Sequence, residues 1–213
     1  MISEKEKSVL EQKGISEFAL MEHYYTIQGE GYNTGTPAYF LRLGGCDVGC
    51  VWCDVKDSWD AEKHPLTNVE DMLRLVKKTN ASTVVITGGE PLMSDLNYLT
   101  EIFHQDKIRL WLETSGAYPL TGEWDWICVS PKKFKAPLRN VLEEANELKV
   151  VIYNRTDLGW AEQHVASVNN DCKLFLQPEY SRQQEMIPLI IDYVRQNPKW
   201  RISLQTHKYM NIP

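Results

Sequence analysis

With 213 residues, 43% hydrophobic and 24% charged, the chain has the composition of one soluble globular domain spanning 1–213, its first twenty residues an N-terminal extension. The 23 basic and 29 acidic side chains give a formal charge of -6, which excludes a surface that gathers nucleic acid, and no apolar run approaches the roughly 20 residues that span a bilayer. Five cysteines, an odd number with three clustered, and a charged start without a signal-peptide core predict a cytoplasmic chain in a reducing compartment.

Along the chain, short β-rich runs alternate with helical ones. Leu20 to Ile27 is aromatic and apolar, and Gln28-Gly29-Glu30-Gly31 breaks it with two glycines suited to a turn near a ligand. Ala38 to Leu43 reads as the first core strand and leads straight into Cys46-Asp-Val-Gly-Cys50-Val-Trp52-Cys53. Thr67, three before Glu70, has the capping-box pattern, and Val69, Met72, Leu73 and Val76 share one face of the helix that follows. Thr83 to Thr87 is a β-branched strand ending in Gly88-Gly89-Glu90-Pro91. A helix carrying Leu96, Leu99 and Phe103 precedes a strand from Arg109 to Thr114, and Trp126 to Ser130 is a further strand. Helices around Arg139 to Ala145, Leu158 to Val168 and Gln184 to Gln196 then alternate with strands at Leu148 to Ile152, Cys172 to Gln177 and Arg201 to Gln205. In the helix at Gln184 to Gln196, Ile187, Ile190, Ile191 and Val194 are the expected apolar face.

This alternation predicts βα units and a mostly parallel sheet. Polar, glycine or proline motifs follow nearly every strand, and in a parallel sheet those ends share one rim, where such folds place active sites. Turn chemistry alone accounts for some of them.

Three thiols within eight residues can converge on one soft metal centre, and iron-sulfur clusters are held by cysteine sulfur in this manner. Three cysteines on four irons leave one iron open for a substrate or cofactor. A structural zinc loop is the competing reading and requires a fourth ligand, for which His64 is the nearest candidate; unligated thiols are a third. Cys128 and Cys172 stand apart, in or beside apolar runs, and read as small buried hydrophobes.

The spacing Cys46-X3-Cys50-X2-Cys53 followed by Gly88-Gly89-Glu90-Pro91 resembles the radical S-adenosylmethionine (SAM) superfamily. Within it, Tyr25-Thr-Ile27-Gln28-Gly29-Glu30-Gly31, Phe40-Leu-Arg42-Leu43, Glu113-Thr-Ser115-Gly116, Val129-Ser130-Pro131-Lys132, Leu176-Gln177-Pro178 and the tail from Gln205 to Pro213 resemble the 7-carboxy-7-deazaguanine synthase family, from about Met21 to the last residue. The resemblance implies an α/β fold, an abbreviated, partly open (β/α) barrel of the radical SAM type with six to seven mostly parallel strands. It implies a lyase that takes 6-carboxy-5,6,7,8-tetrahydropterin to 7-carboxy-7-deazaguanine with loss of ammonia, through a 5'-deoxyadenosyl radical that abstracts hydrogen at C6. The implied cofactors are a 4Fe-4S cluster on Cys46, Cys50 and Cys53, SAM, and Mg2+. SAM is expected against Trp52, Cys53, Asp54, Gly88, Gly89, Glu90, Glu113, Ser115, Ser130, Pro131, Lys132 and Gln177.

The carboxypterin is expected against Ile27, Gln28, Gly29, Glu30, Arg42, Thr87 and Pro213, the last through its α-carboxylate, so that a C-terminal tag should impair activity. His207 and Lys208 are left between packing and chain positioning. The resemblance further implies a homodimer and a reducing partner such as flavodoxin, and no nucleic-acid or membrane partner. One position departs from the family pattern: two residues after the third cysteine, where a hydroxyl residue commonly helps hold Mg2+, stands Val55, with Asp54, Lys56 and Asp57 as possible substitutes and a weaker Mg2+ dependence as the expectation. A radical-SAM activase acting on a protein partner and a zinc-binding interaction module are the alternatives.

Overall fold

The computed structural model describes residues 16–213. Its strands are β1 (Glu17–Ile27), β2 (Pro37–Leu43), β3 (Leu66–Asn68), β4 (Thr83–Gly88), β5 (Arg109–Thr114), β6 (Trp126–Val129), β7 (Glu147–Ile152), β8 (Lys173–Pro178) and β9 (Trp200–Ile202). They form one sheet in the order β3-β1-β2-β4-β5-β6-β7-β8-β9. From β2 to β9 every neighbouring pair is parallel, giving seven parallel strands. The sheet does not close, since β3 and β9 are its two ends. This is the α/β, partly open barrel of the sequence reading, with two antiparallel strands added at one edge: β1 pairs antiparallel with both β2 and β3.

The helices are α1 (Val69–Lys77), α2 (Asn97–Gln105), α3 (Arg139–Glu143), α4 (Thr156–Val165), α5 (Gln183–Gln196) and α6 (Thr206–Met210). Alternation within the strands divides the molecule into two layers. Leu41, Leu43, Val84, Ile86, Leu110, Leu112, Leu148, Val150, Leu174 and Leu176 point outward into the main core, against Val69, Met72, Leu99, Phe103, Val141, Leu158, Met186 and Ile190 of the helices. The intervening residues face the interior. Ala38, Val85 and Trp111 pack there with Phe40 and Trp126 as a small floor, and the next interior position along β2, β4 and β5 is Arg42, Thr87 and Glu113. The pleat that buries the aliphatic half of each strand therefore delivers its polar half to one chamber.

Several boundaries differ from the sequence expectations. The first strand starts at Glu17, inside the stretch read as an extension; residues 1–15 lie outside the described structure. Thr67 is not the cap of α1. It belongs to β3, opposite Phe18, and Asn68 caps the helix instead, its side chain accepting from the Asp71 amide at 2.8 Å. Ile191 is exposed rather than part of the buried face of α5, where Met186 and Ile190 are the buried pair. The last strand ends at Ile202, and the expected strand residues beyond it lead into the short α6. Cys128 and Cys172 are buried, as small hydrophobes would be.

Candidate active site

A cavity of about 290 Å3, near the lower bound for small-molecule sites, opens at the C-terminal ends of the parallel strands. Its rim begins with the loop after β2, whose Cys46, Cys50 and Cys53 all line it, as do Trp52, Asp54 and Val55. The Gly-Gly-Glu turn after β4 is locked to this loop. Gly89 N donates to Leu43 O and Glu90 N to Gly45 O, both at 2.9 Å. A Cβ on Gly88 would stand 2.1 Å from Leu43 O, and one on Gly89 2.2 Å from Gly45 O and 2.7 Å from Cys46 Cβ. Only two glycines allow the turn to lie this close.

Within the thiol cluster, burial pushes Cys50 up to about 11, opposed by the charge of Lys132 and reinforced by Cys53 and Cys46; burial raises Cys46 as well. The three sulfurs thus sense one another across the cavity wall. Among the described residues no three His, Cys, Asp or Glu side chains are gathered at metal-holding distance. The donor set is nonetheless the soft, all-thiol kind that suits iron and sulfide. It lacks the fourth ligand zinc would need, because His64 Nε2 bonds to Asp57 O at 2.8 Å and does not line the cavity.

Glu90 is buried, and its carboxylate accepts four hydrogen bonds: Leu92 N at 3.1 Å and Thr114 Oγ1 at 2.5 Å on one oxygen, Ser115 N at 2.7 Å and Ser115 Oγ at 2.5 Å on the other. It fixes the turn after β5. After β6, Ser130 and Lys132 line the cavity, with Lys132 Nζ 2.6 Å from both Ser130 O and Ser130 Oγ and 5.7 Å from the centre of the Trp52 ring. Pro131 is buried and does not line the cavity. Gln177, at the end of β8, lines it and accepts from Ser203 Oγ at 2.6 Å.

The opposite wall has a different origin. Because β1 runs antiparallel to β2, Ile27 lies beside Pro37, at the N-terminal end of the parallel sheet. The chain then turns inward, and Ile27, Gln28, Gly29 and Glu30 reach the same cavity as Thr87 and Arg42. Arg42 Nε donates to Glu22 Oε1 at 2.5 Å and Nη2 to Tyr24 OH at 3.3 Å, so the rest of the guanidinium fork is free to face the chamber. Pro213 lines the wall, its carbonyl accepting from Thr26 Oγ1 at 3.3 Å. His207 also lines it and packs so tightly on Gly29 that a Cβ there would lie 2.3 Å from Nδ1, which makes it a packing residue. Lys208 lies off the cavity, 3.3 Å from Asp54 and 4.0 Å above the Tyr180 ring, and positions the tail.

The group that sequence reasoning missed is Lys149. It sits in β7, 5% exposed, with Nζ 2.7 Å from Glu30 Oε2 and 3.0 Å from Glu113 Oε2. Burial pushes Glu30 up, but the Lys149 charge and hydrogen bond, with Gln205 and Gln177, outweigh it and hold Glu30 at about 2. The available signal was a lysine two residues after Glu147 in a parallel strand whose other residues, Leu148 and Val150 to Ile152, are apolar, where both faces are covered and a charge must have a partner.

A family model, the Radical SAM superfamily, matches residues 41–153, from the last half of β2 to just beyond β7. The 7-carboxy-7-deazaguanine synthase of Flavobacterium psychrophilum is 55% identical over 209 residues, covering 98% of this chain and 99% of that one. The chain belongs to the 7-carboxy-7-deazaguanine synthase family. The Synechocystis synthase is 44% identical over 92% of this chain and 93% of its own. The crystal structure of QueE from Escherichia coli superposes with a TM-score of 0.79 at 32% identity, covering 88% of this chain and 93% of that one. Family membership leaves the activase and zinc-module readings without support.

Proposed function

We propose that the chain is a radical SAM lyase converting 6-carboxy-5,6,7,8-tetrahydropterin to 7-carboxy-7-deazaguanine and ammonia in the cytoplasm, a step in queuosine-type 7-deazapurine biosynthesis. The observation that carries the reading is the single chamber in which the three-thiol loop and the Gly-Gly-Glu turn face the Gln28-Gly29-Glu30 wall and Arg42. Cys46, Cys50 and Cys53 would hold the 4Fe-4S cluster. Cluster and SAM together supply, when bound, a one-electron cleavage that yields a hydrogen-abstracting radical.

The chain's own residues orient the two partners. The backbone of the Gly88-Gly89 turn admits SAM beside the thiols; Trp52, Asp54, Glu113, Ser115, Ser130, Lys132 and Gln177 complete that side. Glu90 stands on the same wall and holds Thr114 and Ser115 in place. On the other side, the fork of Arg42 suits the carboxylate of the pterin, while Gln28 and Glu30 offer acceptors to its N-H edge. Thr87 stands beside Arg42 on the neighbouring strand. With both partners in one chamber, the substrate would be held beside the cofactor, so that positioning contributes to the hydrogen abstraction. A reducing partner such as flavodoxin would supply the electron, and a homodimer is the expected assembly.

Mg2+ belongs to the same proposal. Val55 lines the cavity at the position of the usual hydroxyl and has no ligand atom; Asp54 lines it too but is engaged by Lys208, and Asp57 is off the wall. Mg2+ would then be held by substrate and water. Turnover should then depend less steeply on Mg2+ than in Val55→Thr, and a wild-type rate that follows Mg2+ concentration as steeply as the variant's would count against this account. The function itself is tested by anaerobic incubation with SAM, dithionite and the carboxypterin. Mass analysis should show the deazaguanine product and about four irons per chain with sulfide; one zinc and no product would reject it.

A further inference from the structure

Lys149 connects the two walls of the chamber. Its ammonium bonds Glu30 from the loop after β1 and Glu113 from β5, and each carboxylate has further neighbours: Gln205 Nε2 donates to Glu30 Oε1 at 2.8 Å with Gln177 beside it, and Gln28 Nε2 donates to Glu113 Oε1 at 3.4 Å with Cys128 beside it. The groups that face this centre are Glu147 earlier on β7, Cys128 of β6, Gln177 of β8, Lys132 after β6 and His207 of α6. Three carboxylates, Glu30, Glu113 and Glu147, thus crowd one adjacent ammonium.

We propose that Lys149 is a positioning residue for the pterin subsite: by bonding Glu30 and Glu113 together, it keeps Glu30 a fixed, charged acceptor turned toward the N-H edge of the substrate. The inference rests on the reading that Glu30 contacts the pterin. Without their common cation the two partly buried carboxylates, 18% and 22% exposed, repel each other, and Glu30 takes up a proton more readily. A protonated Glu30 presents an O-H to a substrate edge made of donors, so the loss falls on binding.

The test compares the pterin KM of cluster-loaded, SAM-bound enzymes between pH 6 and 9 under anaerobic conditions, each divided by the wild-type value at the same pH so that titration of the substrate cancels. Lys149→Met should raise KM about tenfold at pH 6, the loss of one charge-assisted bond, and return toward wild type as the pH rises and Glu30 ionises; kcat should change less. Lys149→Arg, which keeps the cation, should show a flat ratio. Glu30→Gln should raise KM by a factor independent of pH; if it binds pterin as the wild type does, the underlying reading of Glu30 fails. A Lys149→Met ratio that is flat with pH, whatever its size, overturns the positioning role. If that variant does not fold, K149M/E113Q removes one anion with the cation and leaves Glu30 partly buried without a cation. The same rise at low pH is expected from it, and a flat ratio overturns the proposal.

Discussion

Glu90 lines the cavity and at the same time braces the turn beside it. All four of its acceptor directions are filled by Leu92, Thr114 and Ser115, so the carboxylate has no lone pair left over for a ligand. Its effect on the cofactor side passes through the turn it braces. Glu90→Gln replaces an acceptor oxygen with an amide donor that confronts the Ser115 or Thr114 donors. The variant should lose about 1–3 kcal/mol in urea denaturation, the cost of an unsatisfied buried donor. Lys149 is the complementary case: its strand marks it only as a charge among apolar residues, and the partners its side chain meets lie 119 and 36 positions away.

At the scale of elements, the cysteine loop and the β4 turn form one unit, joined by two backbone hydrogen bonds and by the missing Cβ atoms of Gly88 and Gly89. Gly89→Ala would drive a methyl into Gly45 O and Cys46 Cβ. A destabilisation of about 1–3 kcal/mol is expected on thermal or urea unfolding, with less iron bound per chain after reconstitution, because the displaced atom carries a thiol. Unchanged iron content would show that the loop tolerates the shift. This unit was legible in the sequence, since both motifs are local and each follows a strand with clear β-branched or apolar character. The strands and helices of the parallel part were legible for the same reason. The wall built from Gln28 to Glu30 was legible as a turn near a ligand, but not its route: that depends on the direction in which β1 pairs, which periodicity does not encode. β3 escaped notice because three residues are too few for a pattern, and its pairing with β1 also displaced the helix cap from Thr67 to Asn68.

Across the whole molecule, the charged interior of the barrel sets how stability responds to pH. Glu147 is 2% exposed, with Oε2 accepting from Tyr32 N at 3.1 Å and Trp126 Nε1 at 3.2 Å while Oε1 has no hydrogen-bond partner among the described residues. Burial, opposed by Lys149 and reinforced by Glu113, raises it from 4.5 to about 7. The folded state therefore binds this proton more tightly than the unfolded chain. The stabilisation is complete below pH 4.5 and lost as the pH rises through about 7, amounting to about 3 kcal/mol. Glu30, held at about 2, has the opposite sign: its contribution is present above 4.5 and lost as the pH falls toward 2. Glu147→Gln keeps an uncharged acceptor for Tyr32 and Trp126 and should flatten the fall in unfolding free energy between pH 5 and 7. Parallel wild-type and variant curves over that interval would show that Glu147 does not carry it.

The loop after β1 has a further consequence for how this enzyme comes into being. Gly29 O accepts from Thr206 N and Thr206 Oγ1, both at 2.9 Å, and Gln205 bonds Glu30 across 175 positions of sequence. The parallel strands can assemble by successive neighbouring units, but this wall of the chamber requires the two most distant segments of the described chain to meet, the step with the largest loop to close. Loop-closure entropy makes this contact costlier to form than the union of the thiol loop with the β4 turn, whose partners Gly45 and Glu90 are far nearer in sequence. The two walls of one chamber thus differ in what it costs the chain to bring them together.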